Sequence, residues 1–496
     1  MTGQQDESRS ILTWPLVLAA GIGSILLLQH LFLRVLSQHF YYETALVHSP
    51  ILWVVVTQVA AGLIFLSLFW LIPRLAVTRE TLVGMVIFGL LLRLILFDST
   101  PILEDDFYRY LWDGAVLSHE QNPYELAPAE AIQSGNGVIA QLAIEAGPVF
   151  ERINYPQLNT IYPPLAQLGF ALAHWIEPWS LLAWRGVLLI SEIVTVGLLI
   201  VLLRGIGRSP LWAAVYWWNP LVTKELINSA HMDALLLPFL LGVVLFIIHR
   251  KHLRAVGTLA LAVGIKIWPL LLLPFALRPV VKSKPLLVGA GLSFTVLTLA
   301  LLSPLLNSGL GEPSGLFAFA RMWEANDALF RVLAYLSGVI VTLIGIEQFD
   351  GGLIARVLVT VMLLGFTLWL NRNQVQDAQE LARRLMLIVA VLFLLSPTQF
   401  PWYYVWVVPF LALSPSLGLL ALTAVLPCYY LRFYFDARDQ LALFDYGIVW
   451  LEYVPIVALL IVEWLARRRR SQPDAHVTNT SGQSSTQSAL VGQARV

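Results

Sequence analysis

Residues 81–114 read TLVGMVIFGLLLRLILFDSTPILEDDFYRYLWDG. The first half is an apolar run interrupted only by Arg93, and roughly 20 such residues cross a bilayer core as a helix. The run ends at Asp98, and an acidic, aromatic stretch with helical spacing follows at once. This junction sets the terms for the chain: helices that live in lipid, joined to a polar insertion that is itself structured.

Working outward, further apolar runs lie near 11–33, 50–72, 181–203, 211–228, 232–248, 285–304, 352–370, 384–397, 416–431 and 446–466. The stretch 400–414 is shorter, and Leu253–Leu277 is interrupted by Lys266 and Pro269. Composition agrees with a membrane chain. Of 496 residues 58% are hydrophobic and 12% charged, with a mean hydropathy of +0.74, whereas a soluble domain carries roughly 25% charged residues. So few charges cannot cover a water-soluble globule. The expected fold is an all-α polytopic membrane protein of about 12 to 14 transmembrane helices, depending on how short helices are counted. The first run is too long for a cleaved signal peptide. A net charge of zero gives no field favouring nucleic acid. The single cysteine, Cys428, excludes an internal disulfide framework and a cysteine zinc cluster. The 17 Trp and 16 Tyr crowd the ends of the apolar runs, as membrane-interface belts do.

Charge placement gives the expected orientation. With a cytoplasmic N-terminus, the short segments holding Arg74/Arg79, Arg204/Arg208, Arg250/Lys251/Arg254, Arg372/Arg383/Arg384 and Arg467–Arg470 are cytoplasmic. Reading Leu253–Leu277 as a hairpin of two short helices brings Arg278/Lys282/Lys284 to the same side. With Arg9, this puts 18 of the 31 basic residues inside, as the positive-inside rule requires. The expected organisation is therefore a transmembrane domain over 1–470, extracytoplasmic segments at 98–180 and 305–350, and a disordered cytoplasmic tail over 471–496, which is Ser-, Gln- and Thr-rich. No internal repeat is visible, unlike many transporters.

Residues 98–180 are the long hydrophilic insertion, and they hold eleven acidic residues against Arg109 and Arg152. Glu104-Asp105-Asp106 admit two readings. They form an acidic helix N-terminus paired with Arg109, worth about 1 kcal/mol. Alternatively they hold a general base at the membrane surface, worth about 10²–10⁴ in rate. Asp106, Arg109 and Asp113 share one helical face. The apolar stretch Leu165–Trp175 is too short to span and reads as a re-entrant or interfacial helix beneath the insertion, or as an amphipathic helix packed on the bundle.

Charges at membrane depth cost about 2.5–3.5 kcal/mol each and face partners or cavities. Lys224 and Glu225 are expected to pair, and His231 and Asp233 to form either a cap or a polar wall for a substrate. Lys266 has no carboxylate nearby in sequence and either snorkels or binds phosphate. Arg321 is a second phosphate candidate, because its fork matches phosphate oxygens. Arg93 is expected to pair with Asp98.

The series Glu104-Asp105-Asp106-Phe107-Tyr108-Arg109-Tyr110-Leu111-Trp112-Asp113-Gly114, then Asn122-Pro123-Tyr124, then Tyr162-Pro163-Pro164, resembles the first extracytoplasmic loop of GT-C-type glycosyltransferases. The likeness is greatest to the bacterial mannosyltransferase-like branch that uses polyprenyl-phosphate sugars. Asn228-Ser229-Ala230-His231-Met232-Asp233, Gly264-Ile265-Lys266-Ile267-Trp268-Pro269 and Ser396-Pro397-Thr398-Gln399-Phe400-Pro401-Trp402-Tyr403 follow in the expected order, so the resemblance covers roughly residues 80–415. It implies a GT-C-like helical bundle in a bacterial inner membrane, a catalytic first loop and transfer with inversion. It also implies catalytic roles for Asp105 and Asp106, with Asp105 matching the base by its spacing to Asp113. Family members often separate these acids as D-x-D; here they are adjacent, which leaves their division of labour open. The matching motifs put Glu104, Arg109, Asp113, Tyr162, His231, Asp233 and Tyr403 in the substrate-binding set, with Lys266 and Arg321 on the phosphate.

The expected function is thus transfer of a mannose-like hexose from a polyprenyl-phosphate donor to a glycan or lipid acceptor. The isoprenoid tail would lie against the helices around 164–176. No nucleotide-binding glycine loop is present, in keeping with a donor that is not a nucleotide sugar. No cofactor is required; a divalent metal on the carboxylates is compatible with this chemistry. The rival readings are a transporter or flippase of a lipid-linked sugar, and a non-catalytic membrane scaffold.

Overall fold

A computed structural model describes residues 4–132, 135, 137–308, 314–345 and 350–471; the expected tail beyond 471 lies outside them. The described residues are mainly helical and hold no strand beyond one isolated bridge between Ala325 and Thr398. Among the described residues, seven helices are long and apolar enough to cross a membrane. Their outer faces expose Ile190, Val296 and Val361 at 64, 65 and 61%, which is the surface of a protein whose solvent is lipid.

The remaining expected spans take other forms, for identifiable reasons. Arg79–Leu96 and Ala378–Leu395 have the length of a span, but each carries three charged residues. The expected spans at 211–228 and 232–248 are one bent pair, Pro220–Asn228 and Met232–Ile248, with 106° between them. Pro220 starts the first piece, capped by the Asn219 carboxamide, and the piece ends in a π-turn over Lys224–Asn228. These residues are fully buried, so the break sits inside protein, where irregular backbone at membrane depth is tolerated. The expected hairpin is present: His252–Val263 packs against the short helices from Trp268 to Leu277, with Lys266 in the turn.

Arg93 does not pair with Asp98. Its guanidinium forms a two-point ion pair with Glu192 (3.0 and 2.6 Å) and donates to the Trp217 carbonyl at 2.7 Å. Asp98 takes Arg34 at 2.8 Å. Both Arg93 and Glu192 are fully buried, and a buried carboxylate at membrane depth requires a cation.

The 98–180 insertion is ordered around its own small core of Trp112, Val116, Leu142, Ala143 and Ile153. Its Asp106–Ser118 helix packs along Pro164–Ile176, the short apolar helix expected from sequence, with Tyr110 stacked on Phe170 at 4.8 Å. The approach is close because position 114 has no side chain. A Cβ there would stand 2.5 Å from the Phe170 carbonyl oxygen. Gly114→Ala is expected to destabilise the protein by about 1–3 kcal/mol by pushing these helices apart. Gly84→Ala, with nothing within 4 Å, should leave the melting temperature in detergent level or raised. Equal effects of the two substitutions would show that the contact is not tight.

Candidate active site

The insertion roofs a cavity of about 1540 Å³, walled below by the bent helix pair, the Lys266 turn and the 400–436 region. The chain enters it through Asp98–Asp105, an irregular segment in which Leu103 takes a positive φ of 59°. That turn delivers Glu104, Asp105 and Asp106 to one wall.

Asp105 and Asp106 share one partner. The two N–H bonds of the Asn154 amide reach Asp105 Oδ1 at 2.9 Å and Asp106 Oδ1 at 2.8 Å. Asp105 is the most exposed of the three acids, although the cavity walls withdraw much of its bulk water. This loss of hydration, with the charge of Glu104, raises its pKa to about 6. Asp106 is raised as well, chiefly by burial, with His231 opposing the shift. Glu104 is pushed up to about 8 by burial, against the pull of Lys224. Geometry agrees with a proton on Glu104. The Tyr430 hydroxyl lies 2.8 Å from Glu104 Oε1 and 2.9 Å from Glu225 Oε2, yet it has one proton to donate. A neutral Glu104 can donate back to the phenolic oxygen.

Beneath the acids lies a buried polar floor. His231 is fully buried, stacked on Trp402 at 4.1 Å, and neither ring nitrogen makes a hydrogen bond. Its Nε2 is 3.5 Å from Glu104 and 3.8 Å from Glu225, and its Nδ1 is 3.8 Å from Asp106. Glu104, Glu225 and His231 offer ligand atoms within 4.8 Å of one another, a set able to hold a metal ion. His231 suits that role. The carboxylates are already contested, by the Tyr430 hydroxyl and by Lys224, whose Nζ is 3.5 Å from Glu225 and over the Tyr430 ring. An ion there would have to displace the ammonium.

On the adjoining wall, Lys266 pairs with Asp233 at 2.8 Å, and Trp406 Nε1 donates to the same carboxylate at 2.6 Å. Lys266 has a carboxylate partner after all, brought in from 33 positions away by the bend. Tyr403 and Trp406 cover its ammonium at 4.1 and 4.8 Å. These aromatic faces next to charges suit the apolar faces and hydroxyls of a pyranose.

Of the residues expected from sequence, Glu104, Asp105, Asp106, Arg109, Tyr162, Asp233, Lys266 and Tyr403 line the cavity, and His231 lies directly beneath. Arg109 and Asp113 also have a structural part. They pair with each other at 2.8 Å, Thr160 and Gln167 take the other Asp113 oxygen, and Arg109 also donates to the Leu158 carbonyl. Both are buried, and they hold the insertion together. Arg321 is exposed, outside the cavity lining, with its guanidinium over Phe317. Sequence reasoning missed Asn154, Tyr430 and Arg432. None sits in a motif: Asn154 comes from the insertion, while Tyr430 and Arg432 come from one short stretch near the C-terminal end of the bundle.

A family model described as "Alpha-(1->6)-mannopyranosyltransferase, N-terminal domain" matches residues 16–282, more than half of the chain. The match takes in the 98–180 insertion, the bent pair and Lys266, and stops before Tyr403 and Tyr430. No curated protein and no solved structure matches.

The raised pKa of Glu104 has a consequence for stability. Its value is 4.5 unperturbed and about 8 in the fold, so across this window the folded state holds a proton that the unfolded chain releases. The stability associated with the neutral carboxyl is complete below pH 4.5 and is lost as pH rises through 8. The melting temperature in detergent should therefore fall more steeply from pH 5 to 8 for wild type than for Glu104→Gln. Parallel profiles would mean that Glu104 is ionised in the fold.

Proposed function

The chain belongs to the alpha-(1->6)-mannopyranosyltransferase family, and from that premise we propose that it moves mannose from a polyprenyl-phosphate donor to a glycan or lipid acceptor, with inversion and with a loop aspartate as general base. It is a multi-pass membrane glycosyltransferase with mannosyl transfer as its activity. The reading places the reaction at the extracytoplasmic face of a bacterial inner membrane, with both termini cytoplasmic, and rests there on the bias of basic residues to one side. Residues 1–470 act as one catalytic unit, with 98–180 as its active-site lip and 305–350 on the same face.

The observation that carries the proposal is the Asp105–Asn154–Asp106 bridge on the wall of a large cavity. The acceptor hydroxyl loses its proton to a carboxylate as its oxygen bonds to C1 of the mannose. The C1–O bond on the opposite face breaks, and its electron pair stays on the phosphate oxygen. One displacement of this kind inverts the anomeric centre. Asp105 is the favoured base. It reaches the cavity, Asn154 is its one side-chain hydrogen-bond donor among the described residues, and a pKa of about 6 leaves it ionised yet basic near neutral pH. Asp106, facing Tyr110 and His231, positions the acceptor. Tyr162, Tyr403 and the Asp233–Lys266 pair supply the sugar subsite.

With purified protein, polyprenyl-phosphate mannose and membrane acceptor, Asp105→Asn is expected to lose about 10²–10⁴ in rate while donor binding persists. Wild-type kcat/KM should decline as pH falls through about 6, where Asp105 takes up its proton. A variant Asp105→Asn that transfers mannose at the wild-type rate removes Asp105 as base. Full activity in both Asp105→Asn and Asp106→Asn returns the protein to the transporter reading.

A further inference from the structure

We propose that Arg432 is the residue that grips the donor's phosphate, an inference that rests on the lipid-phosphate reading above. Five cationic side chains line the cavity: Arg109, Arg152, Arg185, Lys266 and Arg432. Four are already spoken for. Arg109 holds Asp113, Lys266 holds Asp233, and Arg152 holds Glu43 and the Tyr108 hydroxyl. Arg185 donates to the Phe97, Ser99 and Asn228 carbonyls. Arg432, half-buried, makes no hydrogen bond, ion pair or ring contact among the described residues. Asp436, one turn on, also lines the cavity but does not pair with it.

A guanidinium has five N–H donors and no acceptor, and its planar fork matches two phosphate oxygens. Left without a partner in a cavity that Glu104, Asp105 and Asp106 also line, it is, among the described residues, the cavity cation free to offset an incoming anion. It shares the cavity with the reacting groups, since Arg432, Tyr155 and Asp105 all line it. A headgroup on a lipid, rather than free phosphate, fits the apolar lining that runs outward through Leu182 and Met322, exposed at 46 and 63%.

The donor phosphodiester carries one negative charge, and the departing polyprenyl phosphate gains a second as the C1–O bond breaks. An arginine on those oxygens therefore binds the transition state more tightly than the ground state. Its loss should lower kcat as well as raise KM.

The test uses full-length protein in detergent with radiolabelled farnesyl phosphate as the leaving-group probe, alongside farnesol and inorganic phosphate. Wild type is expected to bind farnesyl phosphate well above both comparators. Arg432→Gln should weaken it by about 10- to 100-fold while leaving farnesol unchanged. Arg432→Lys keeps the charge without the fork and should fall between, and its melting temperature guards against misfolding. Farnesyl phosphate binding equally to wild type and Arg432→Gln overturns the assignment. Farnesol binding wild type as well as farnesyl phosphate overturns the donor reading beneath it. Inorganic phosphate matching farnesyl phosphate would make this a free-phosphate site and also overturns the proposal.

Discussion

The rest of the site depends on a clamp between Arg185 and Asn228. Breaking a helix at Lys224–Asn228 inside the protein frees backbone groups that have no water to bind, and each one left unpaired costs about 1–3 kcal/mol. Arg185, almost wholly buried, donates to the Asn228 carbonyl from one side and to Phe97 and Ser99 from the other. The Asn228 side chain completes the join, accepting from Ile102 N–H at 3.1 Å and donating to Ser99 and Thr100 at 2.8 Å. The Trp184 indole satisfies the Ala230 carbonyl. One set of hydrogen bonds thus repairs the broken helix and ties it to the strand of chain that carries Glu104, Asp105 and Asp106.

The clamp also holds two unfavourable backbone conformations in place. Leu103 and Ala230, with φ near +59 and +58°, flank it on either side. Neither is a residue that adopts the left-handed region easily, and such positions cost of order 1 kcal/mol or more. Each turns the chain so that the next residue, Glu104 or His231, points at the other. The dense acidic cluster follows from this forced proximity. Carboxylates brought together out of water cannot all ionise cheaply, so protons stay on some of them. The raised pKa of Asp105 is one product of the same constraint that raises that of Glu104.

Much of this was legible in the residue pattern. The apolar runs marked the span-length helices, the Lys266–Pro269 interruption marked the hairpin, and the density of aromatic residues in 98–180 marked an ordered insertion. The acidic triplet and the motifs around His231, Asp233, Lys266 and Tyr403 converge on one cavity, as the resemblance implied. Pairings were read less well. Arg93 was assigned to Asp98, five residues on, yet it meets Glu192 across a helix interface. Arg109 and Asp113, both expected in the binding set, bond to each other, a pairing the sequence reading did not anticipate.

The sequence by itself determined that this chain lives in lipid, where its long apolar helices lie, and which short polar segments interrupt them. Those are local properties, set by hydropathy, prolines and the spacing of charges. Which cation meets which carboxylate was decided only by tertiary structure, because burial makes every charge seek a partner and the bends choose which partners are in reach. Asn154 bridging Asp105 and Asp106, Tyr430 between two glutamates, and Arg432 without a partner among the described residues are results of that packing. No spacing along the chain encodes them.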